Sequence, residues 1–150
     1  MSSFGQNAVV YLKALKYITN KNAGKSIVVC DTIIYLPFHN FTEEICKVWG
    51  KTSDIVHDVL DSIDRNQGNR KVVLNEFKNL KFAGKEPTTI VYFSNFYSFM
   101  VIGETIEQKN KKYGLSHDAQ TGFNESIQYL FLFDKKYSLK RVFKIRLAYD

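Results

Sequence analysis

His57 is the residue whose type and surroundings best suit acid–base chemistry. A histidine that is oriented by a carboxylate inside an apolar cavity can abstract a proton from a substrate. Carboxylates near it in the sequence are Asp58, Asp61 and Asp64, with Asp31 further upstream. No nucleophile accompanies these residues, and the same acids would equally solvate an exposed face. Catalysis with His57 as base, oriented by Asp31 or Asp61, is therefore an alternative and not the first interpretation.

Motifs for phosphate, metal or cofactor binding are incomplete. Residues 23–26 read Ala-Gly-Lys-Ser and resemble the end of a phosphate-binding loop, but Thr19 stands where that motif needs glycine. The segment also leads from a predicted helix into a predicted strand, so it lacks the helix N-terminus that would hold phosphate. Cys30 and Cys46 have no closely spaced partner, and the histidines are scattered. We therefore expect neither a metal nor a cofactor.

The composition is typical of one globular domain that spans residues 1–150. Hydrophobic residues make up 45% of the chain and aromatic residues 15%, which is enough apolar surface for a packed core and too much for a disordered chain. No apolar run reaches the roughly 18 residues that a membrane span requires, and we expect no signal peptide. Two cysteines are too few for a disulfide framework, so we expect a reducing compartment.

Positive charge is a further indication of the partners. The chain carries a formal net charge of +6, and two basic stretches, 65–85 and 109–146, alternate with acidic ones. The residues that would meet phosphates from these basic segments are Lys109, Lys111, Lys112, Lys140 and Arg141. Contacts of this kind are electrostatic and unspecific. We therefore expect weak RNA contact as an accessory role.

Hydrophobic periodicity predicts a helix, strand and helix in the first third of the chain. Apolar residues between positions 4 and 18 recur at helical spacing, and Gly24 suits the left-handed residue that follows a helix. Residues 26–36 are rich in Ile and Val and predict one strand or two short ones. Asn40 and Glu43 have the spacing of a capping box, which would start a second, short helix.

The remaining segments predict mainly antiparallel strands. Residues 55–63 are ambiguous, because their apolar residues fit a helix well and an alternating strand less well. The later segments, in chain order, are a turn at 64–70, long strands at 72–82 and 88–106 with irregularities at Ser94, Asn95 and Gly103, a loop at 109–122, and a terminal hairpin of strands 123–133 and 137–148. Helices followed by a run of antiparallel strands describe an α+β fold.

The last two strands resemble those of the nuclear transport factor 2-like superfamily. In that family a strand that begins Phe-X-Gln/Glu-X-Phe is followed by a hairpin and a closing strand with an aromatic-X-X-Arg pattern. Phe123 and Glu125 fit the first pattern, with Ile127 in place of its second Phe, and Phe143 and Arg146 match the second. The resemblance implies a cone-shaped, strongly bent antiparallel sheet packed against N-terminal helices. By this analogy, residues 55–63 are expected to form a strand, against their periodicity.

The resemblance also implies a function. The family's import carrier binds a small GTPase through acidic residues, whereas the corresponding segment here, residues 107–112, is basic. The other transport branch of the family is the small subunit of a messenger-RNA export receptor, which pairs with a related domain of a larger subunit. We therefore expect a non-enzymatic heterodimerisation module that shuttles between nucleus and cytoplasm.

Aromatic residues of the predicted sheet supply the expected interface. Tyr, Phe and Arg are enriched where proteins meet, and the outer sheet face from residues 88–106 and 123–147 would be buried against the partner. The partner-binding residues expected on this basis are Tyr92, Phe96, Phe131, Tyr137, Phe143 and Arg146. Three alternatives stay open: a homodimer, a scaffold subunit of another nuclear assembly, and a cone-cavity dehydratase or isomerase that uses His57.

Overall fold

Helices precede and flank a β-sheet in an α+β fold. The computed structural model describes residues 4–67, 72–122 and 124–149. The helices are α1 (Phe4–Lys21), α2 (Thr42–Trp49), α3 (Ser53–Asn66) and α4 (His117–Thr121). The strands are β1 (Lys25–Val29), β2 (Thr32–Ile33), β3 (Val72–Val73), β4 (Lys81–Phe82), β5 (Lys85–Phe93), β6 (Met100–Glu107), β7 (Glu125–Phe133) and β8 (Leu139–Ala148). Short 3₁₀ turns lie at Phe38–Phe41, Asn75–Phe77 and Lys111–Tyr113.

Six strands form one open, mixed sheet in the order β4-β1-β5-β6-β7-β8. β1 runs parallel to β5, whereas the other neighbouring pairs of this sheet are antiparallel. The purely antiparallel sheet that the family resemblance implies is therefore wrong at the β1–β5 pair. β2 and β3 form a separate two-stranded ribbon.

Both faces of the central strands are covered. Phe131 of β7 lies in one hydrophobic cluster with Ile18 of α1, and its neighbour Leu130 lies in another with Leu60 of α3. Because consecutive residues of a strand point to opposite faces of the sheet, α1 and α3 pack on opposite faces. Residues 100–106 of β6 are accordingly all buried. The sheet is the middle layer of three.

α3 confirms the prediction from periodicity and contradicts the prediction from the family resemblance. It is a helix of 14 residues in which Val56, Leu60 and Ile63 are buried. Buried positions that recur every three or four residues are typical of a helix with one face on the core. The strand expected at 55–63 is therefore wrong.

Other elements agree with the sequence, with local corrections. α1, β1, β2 and the terminal hairpin of β7 and β8 form where the sequence predicts them. Residues 72–82 are not one long strand, because a 3₁₀ turn at Asn75–Phe77 separates β3 from β4. Asn40 does not cap α2, because the N-cap position is Phe41 and no side-chain hydrogen bond caps this helix. The Asn40 amide instead donates to Gln128 Oε1 at 3.1 Å.

The predictions for loops and breaks have mixed outcomes. The predicted loop at 109–122 contains α4 in addition to a 3₁₀ turn. The single long strand predicted at 88–106, with a bulge or bend at Ser94 and Asn95, is wrong, because β5 ends at Phe93 and residues 94–99 turn the chain back into the antiparallel strand β6. The predicted turn residues 68–70 and the predicted strand start at Phe123 lie outside the described residues. Within the described ranges, no helix is long and apolar enough to cross a membrane.

Gly103 lies where α1 and the sheet come very close together. The irregularity predicted at this glycine is wrong, since Gly103 pairs regularly with Phe93 of β5 and Tyr129 of β7. A Cβ atom at this position would lie 2.8 Å from Ile18 Cδ1 and 3.1 Å from ring atoms of Phe93 and Phe131. The small residue is therefore required by packing between α1 and β6.

We expect Gly103→Ala to lower the free energy of unfolding by about 1–3 kcal/mol, because overpacking a filled core costs roughly that much. Gly122→Ala is the matched control, since a Cβ atom there would have no neighbour within 4 Å and its φ of −51° suits alanine. The control should change stability by less than about 0.5 kcal/mol. Urea unfolding measures both variants, and equal effects would contradict the close approach of α1 to β6.

Candidate functional site

Two turns bring three aromatic side chains together at one end of the sheet. Residues 94–99 join β5 to β6, and residues 134–138 join β7 to β8. We call Phe96, Phe99 and Tyr137 the aromatic end cluster. Their ring centroids are 6.0 Å apart for Phe96 and Phe99, 6.3 Å for Phe96 and Tyr137, and 6.2 Å for Phe99 and Tyr137. Phe99 is 38% exposed and the other two residues are half-buried.

The aromatic end cluster stands directly on the hydrophobic core. The ring of Phe96 lies 6.3 Å from that of Phe133, which is buried. The backbone N–H of Phe133 donates to the carbonyl of Phe99 at 2.9 Å. Phe96 and Tyr137 also pack against the core cluster under α1. The base of the cluster is thus rigid, while its outer surface is open to contact.

The backbone that carries the cluster is held in the left-handed region. The φ angles are +50° at Ser98, +61° at Phe99 and +60° at Tyr137, a conformation that costs a residue with a Cβ atom roughly 1–2 kcal/mol. Lys13 Nζ donates to the Tyr137 carbonyl at 2.6 Å. Asp134 accepts two backbone hydrogen bonds within its own turn, and these lower the pKa of its carboxyl group. The surrounding contacts therefore impose a conformation that the local sequence disfavours.

Two of the predicted partner-binding residues lie in the core. Tyr92 and Phe131 are fully buried within the monomer, so their prediction as partner contacts is wrong. Phe131 lies in the cluster under α1, whereas Tyr92 is covered by the segment around α4, where its hydroxyl donates to the Leu115 carbonyl at 3.1 Å and its ring centroid lies 4.8 Å from that of His117. Alternation along a strand cannot reveal a strand that is buried on both faces.

The other predicted partner-binding residues are accessible to different degrees. Phe96 and Tyr137 meet in the aromatic end cluster. Phe143 and Arg146 lie further along β8, the first half-buried and the second exposed. Phe99 completes the cluster and was not among the predicted residues. Its exposure depends on left-handed backbone at Ser98 and Phe99, and neither position carries the glycine or asparagine that would signal this conformation.

The predicted RNA contacts lie at opposite ends of the sheet. Lys109, Lys111 and Lys112 follow the end of β6, which is beside the start of β7. Lys140 and Arg141 are at the start of β8, beside the end of β7. β7 has nine residues and separates the two groups by roughly 25 Å along the strand. The two groups do not form one continuous basic patch.

His57 lies on the exposed surface of α3 and not in a cavity. Its Nδ1 is 3.1 Å from Nε2 of His39, and Nδ1 of His39 is 2.5 Å from Oδ2 of the buried Asp64. Within the part of the chain that the structure describes, neither Asp31 nor Asp61 hydrogen-bonds to His57. An exposed histidine cannot act as the base of a closed cavity, so the geometry gives no support to this alternative.

A buried carboxylate lies on β6 between the hydrophobic clusters. Glu104 Oε2 accepts hydrogen bonds from Ser126 Oγ at 2.9 Å, Gln128 Nε2 at 2.7 Å and Tyr149 Oη at 2.6 Å. Its Oε1 hydrogen-bonds to His117 Nε2. We call these five residues the Glu104 cluster. It fastens α4 and the segment after β8 to the middle of the sheet.

Hydrogen bonding and charge outweigh burial at Glu104. Burial acts to raise its pKa, but the hydrogen bonds from His117 and Tyr149 and the charge of His117 lower it, so the pKa lies below its ordinary value of 4.5. The carboxylate is therefore ionised at neutral pH. Because both of its oxygens are occupied by side chains of the protein, Glu104 acts as a structural anchor. Its partners come from segments far apart in the chain, so no local spacing of residues indicates this cluster.

Open cavities in the described part of the chain include two at the surface, the first of which is bordered by Ser126 of the Glu104 cluster. One, of about 420 Å³, is lined by the end of β6, the start of β7 and Arg146. The other, of about 820 Å³, is lined by β1, β4 and Lys111. Neither is lined by a histidine. Among the described residues, no group of three or more His, Cys, Asp or Glu side chains is arranged to hold a metal ion.

Comparison with known proteins does not assign this chain to a family. Neither protein-family models, nor curated proteins, nor solved structures give a match to the chain. The resemblance to the nuclear transport factor 2-like superfamily therefore rests on the pattern of the last two strands and on the order of the predicted elements before them.

We expect Glu104→Gln to lower the free energy of unfolding at pH 7 by about 2–3 kcal/mol, because hydrogen bonds to a charged group contribute roughly 1.5–3 kcal/mol. Folding lowers the pKa of the Glu104 carboxyl group below its ordinary value of 4.5. The ionised carboxylate therefore stabilises the folded protein at pH values above 4.5, and this contribution is lost as the pH falls below that value. The stability of the variant should therefore fall less steeply between about pH 5 and pH 3. Chemical unfolding over this range measures the slope.

The matched control for this prediction is Glu107→Gln, because Glu107 is an exposed acid on the same strand. It should retain both the wild-type stability at pH 7 and the wild-type dependence on pH. A Glu104→Gln variant with the same acid-side slope as wild type would contradict the role of the ionised carboxylate.

Proposed function

We propose that this chain is a non-enzymatic heterodimerisation module whose partner covers the aromatic end cluster. The observation that carries the proposal is the left-handed backbone at Phe99 and Tyr137, which holds two aromatic rings at the surface. Strained backbone of this kind is maintained by its surroundings and concentrates at binding sites. Partly buried aromatic rings gain further apolar burial when a partner covers them, and aromatic residues are enriched among interface hot spots.

The layered architecture supports the same location. Both faces of the central strands are already covered, so a partner cannot reach Phe131 without displacing α1, or Tyr92 without displacing the segment that contains Leu115 and His117. The aromatic end cluster is accessible without any such rearrangement. It also has a rigid base, because Phe96 rests on Phe133 and the two turns are hydrogen-bonded to the sheet. A rigid base lowers the ordering cost of association.

We further propose that the partner is a related domain of a larger subunit, as the resemblance to the nuclear transport factor 2-like superfamily implies. In this proposal the chain is the small subunit of a nuclear messenger-RNA export receptor that shuttles between nucleus and cytoplasm. The order of helices followed by a sheet is compatible with it. The strong bend that would make the sheet cone-shaped belongs to the same proposal.

Two alternatives use the same surface. In a homodimer the occupant of the aromatic end cluster would be a second copy of this chain. In a scaffold subunit of another nuclear assembly it would be an unrelated domain.

A dehydratase or isomerase that uses His57 as base is disfavoured, because that histidine is exposed. RNA contact through the separated basic groups would be accessory in each case.

We expect Phe99→Gly to abolish partner binding while the protein stays folded. Glycine adopts a φ of +61° without a steric penalty, so Phe99→Gly should be more stable than Phe99→Ala by about 1 kcal/mol, the reverse of the order found in a helix. Thermal unfolding measures this difference. Quantitative mass spectrometry of proteins captured from source cells then compares wild type with Phe99→Gly.

The matched control is Tyr113→Ala, because Tyr113 is an exposed aromatic residue in a different turn. We expect one protein to be retained by wild type and by this control and lost from Phe99→Gly. Light scattering of that protein mixed with the chain should give a one-to-one complex. Retention of the same proteins by all three forms would contradict the proposal, and a dimer of the chain alone that Phe99→Gly dissociates would identify the homodimer instead.

A further inference from the structure

The two edges of the six-stranded sheet are unequal. At one edge lies β4, which has two residues, and at the other lies β8, which has ten. β8 is hydrogen-bonded to β7 along its length, and its outer side has no neighbouring strand in the described sheet. A long edge strand presents a row of unpaired backbone N–H and C=O groups that can accept a further strand. A short edge such as β4 offers almost none.

β8 presents different chemistry on its two faces. Lys144 and Arg146 stand opposite Tyr129 and Ile127 of β7, on the face that α1 covers, and both are exposed. On the other face, the half-buried side chains of Phe143, Ile145 and Leu147 run along the border of the α3 side.

The strand is also strongly basic. Its sequence contains Lys140, Arg141, Lys144 and Arg146 and no acidic residue. Lys140 is paired with Asp134 at 3.4 Å. The Cζ atom of Arg141 lies 4.7 Å from the centroid of the Phe143 ring.

We propose that β8 accepts an extended segment of another protein, in which acidic and apolar residues alternate, as a seventh strand of the sheet. Main-chain hydrogen bonds to the outer side of β8 would supply the affinity. Acidic side chains of the segment would lie beside Lys144 and Arg146, and its apolar side chains would extend the row of Phe143 and Ile145. Opposite charges on neighbouring strands stabilise their pairing.

A second copy of this chain does not fit the same edge. Antiparallel pairing of β8 with β8 of another copy would place basic side chains next to basic side chains, which is destabilising.

Arg146 shares its cavity with the acidic residues Glu107 and Glu125, so Lys144 is expected to attract an acidic segment more strongly than Arg146 does. This inference concerns the edge of the sheet and does not depend on the aromatic end cluster.

The test uses the full chain and a synthetic peptide of about ten residues in which glutamate and valine alternate. We expect calorimetry to give one bound peptide per chain, and hydrogen exchange to slow at the amides of β8. A version of the peptide with N-methylated backbone keeps its charges but cannot donate main-chain hydrogen bonds. It should bind about tenfold more weakly or worse. Equal binding of the two peptides would overturn the proposal.

Charge reversal provides a second readout. The double variant Lys144→Glu, Arg146→Glu should lose the glutamate–valine peptide and gain a lysine–valine peptide of the same length. Reversal of Lys47 and Lys51, which are exposed near the end of α2, changes the net charge equally and should leave peptide binding unchanged. Equal losses of peptide binding in both double variants would overturn the proposal. Failure of the wild-type chain to bind the glutamate–valine peptide would also overturn it, and would indicate that the basic residues of β8 protect the edge from pairing.

Two further arms separate this site from the other interpretations. Phe99→Gly should bind the glutamate–valine peptide as wild type does, because Phe99 lies outside β8. This variant therefore distinguishes failure of the heterodimer proposal from failure of the edge proposal. Polyuridine serves as the probe for RNA. Tighter binding of polyuridine than of the peptide, weakened by the same reversal at Lys144 and Arg146, would overturn the proposal in favour of a nucleic-acid surface.

Discussion

β6 lies in the middle of the sheet, and its side chains are buried from Met100 to Ile106 on both faces. This burial depends on α1 and α3 packing on opposite sides, and on a glycine at position 103 that lets α1 approach the backbone closely. A strand that is covered on both faces cannot also be a recognition surface. Contacts with other molecules are therefore restricted to the ends of the sheet, its long edge and the outer surfaces of the helices.

The same constraint explains why polar residues in the centre have structural roles. Glu104 is surrounded by donors from α4, β7 and the segment after β8, and the hydrogen bonds that these donors make keep it ionised. A buried carboxylate without those partners would be strongly destabilising. Through Asn40 and Gln128 the network also reaches the turn that precedes α2. The interior is thus fully committed to the fold, and the strained aromatic turns are free to serve recognition.

Periodicity predicted α1, α2 and α3, because each of these helices buries one face, but it did not predict α4 within the segment 109–122. It favoured the helix at 55–63, which the family resemblance displaced in error. The complete burial of Tyr92 and Phe131 was missed, because coverage of the two sheet faces is decided by segments that are distant from these residues in the sequence. The exposure of Phe99 depends on a left-handed backbone imposed by tertiary contacts. For similar reasons the Glu104 cluster, built from segments far apart in the chain, left no local pattern.

Hydroxyl-radical footprinting of the isolated chain, read by mass spectrometry, tests the central claim most directly, because it measures the accessibility of individual aromatic side chains. The three-layer arrangement predicts rapid modification of Phe99 and Tyr137 and slow modification of Tyr92 and Phe131. Modification of Tyr92 and Phe131 at the same rate as Phe99 would show an open sheet face. That result would contradict both the coverage of the central strands and the location of the proposed interface.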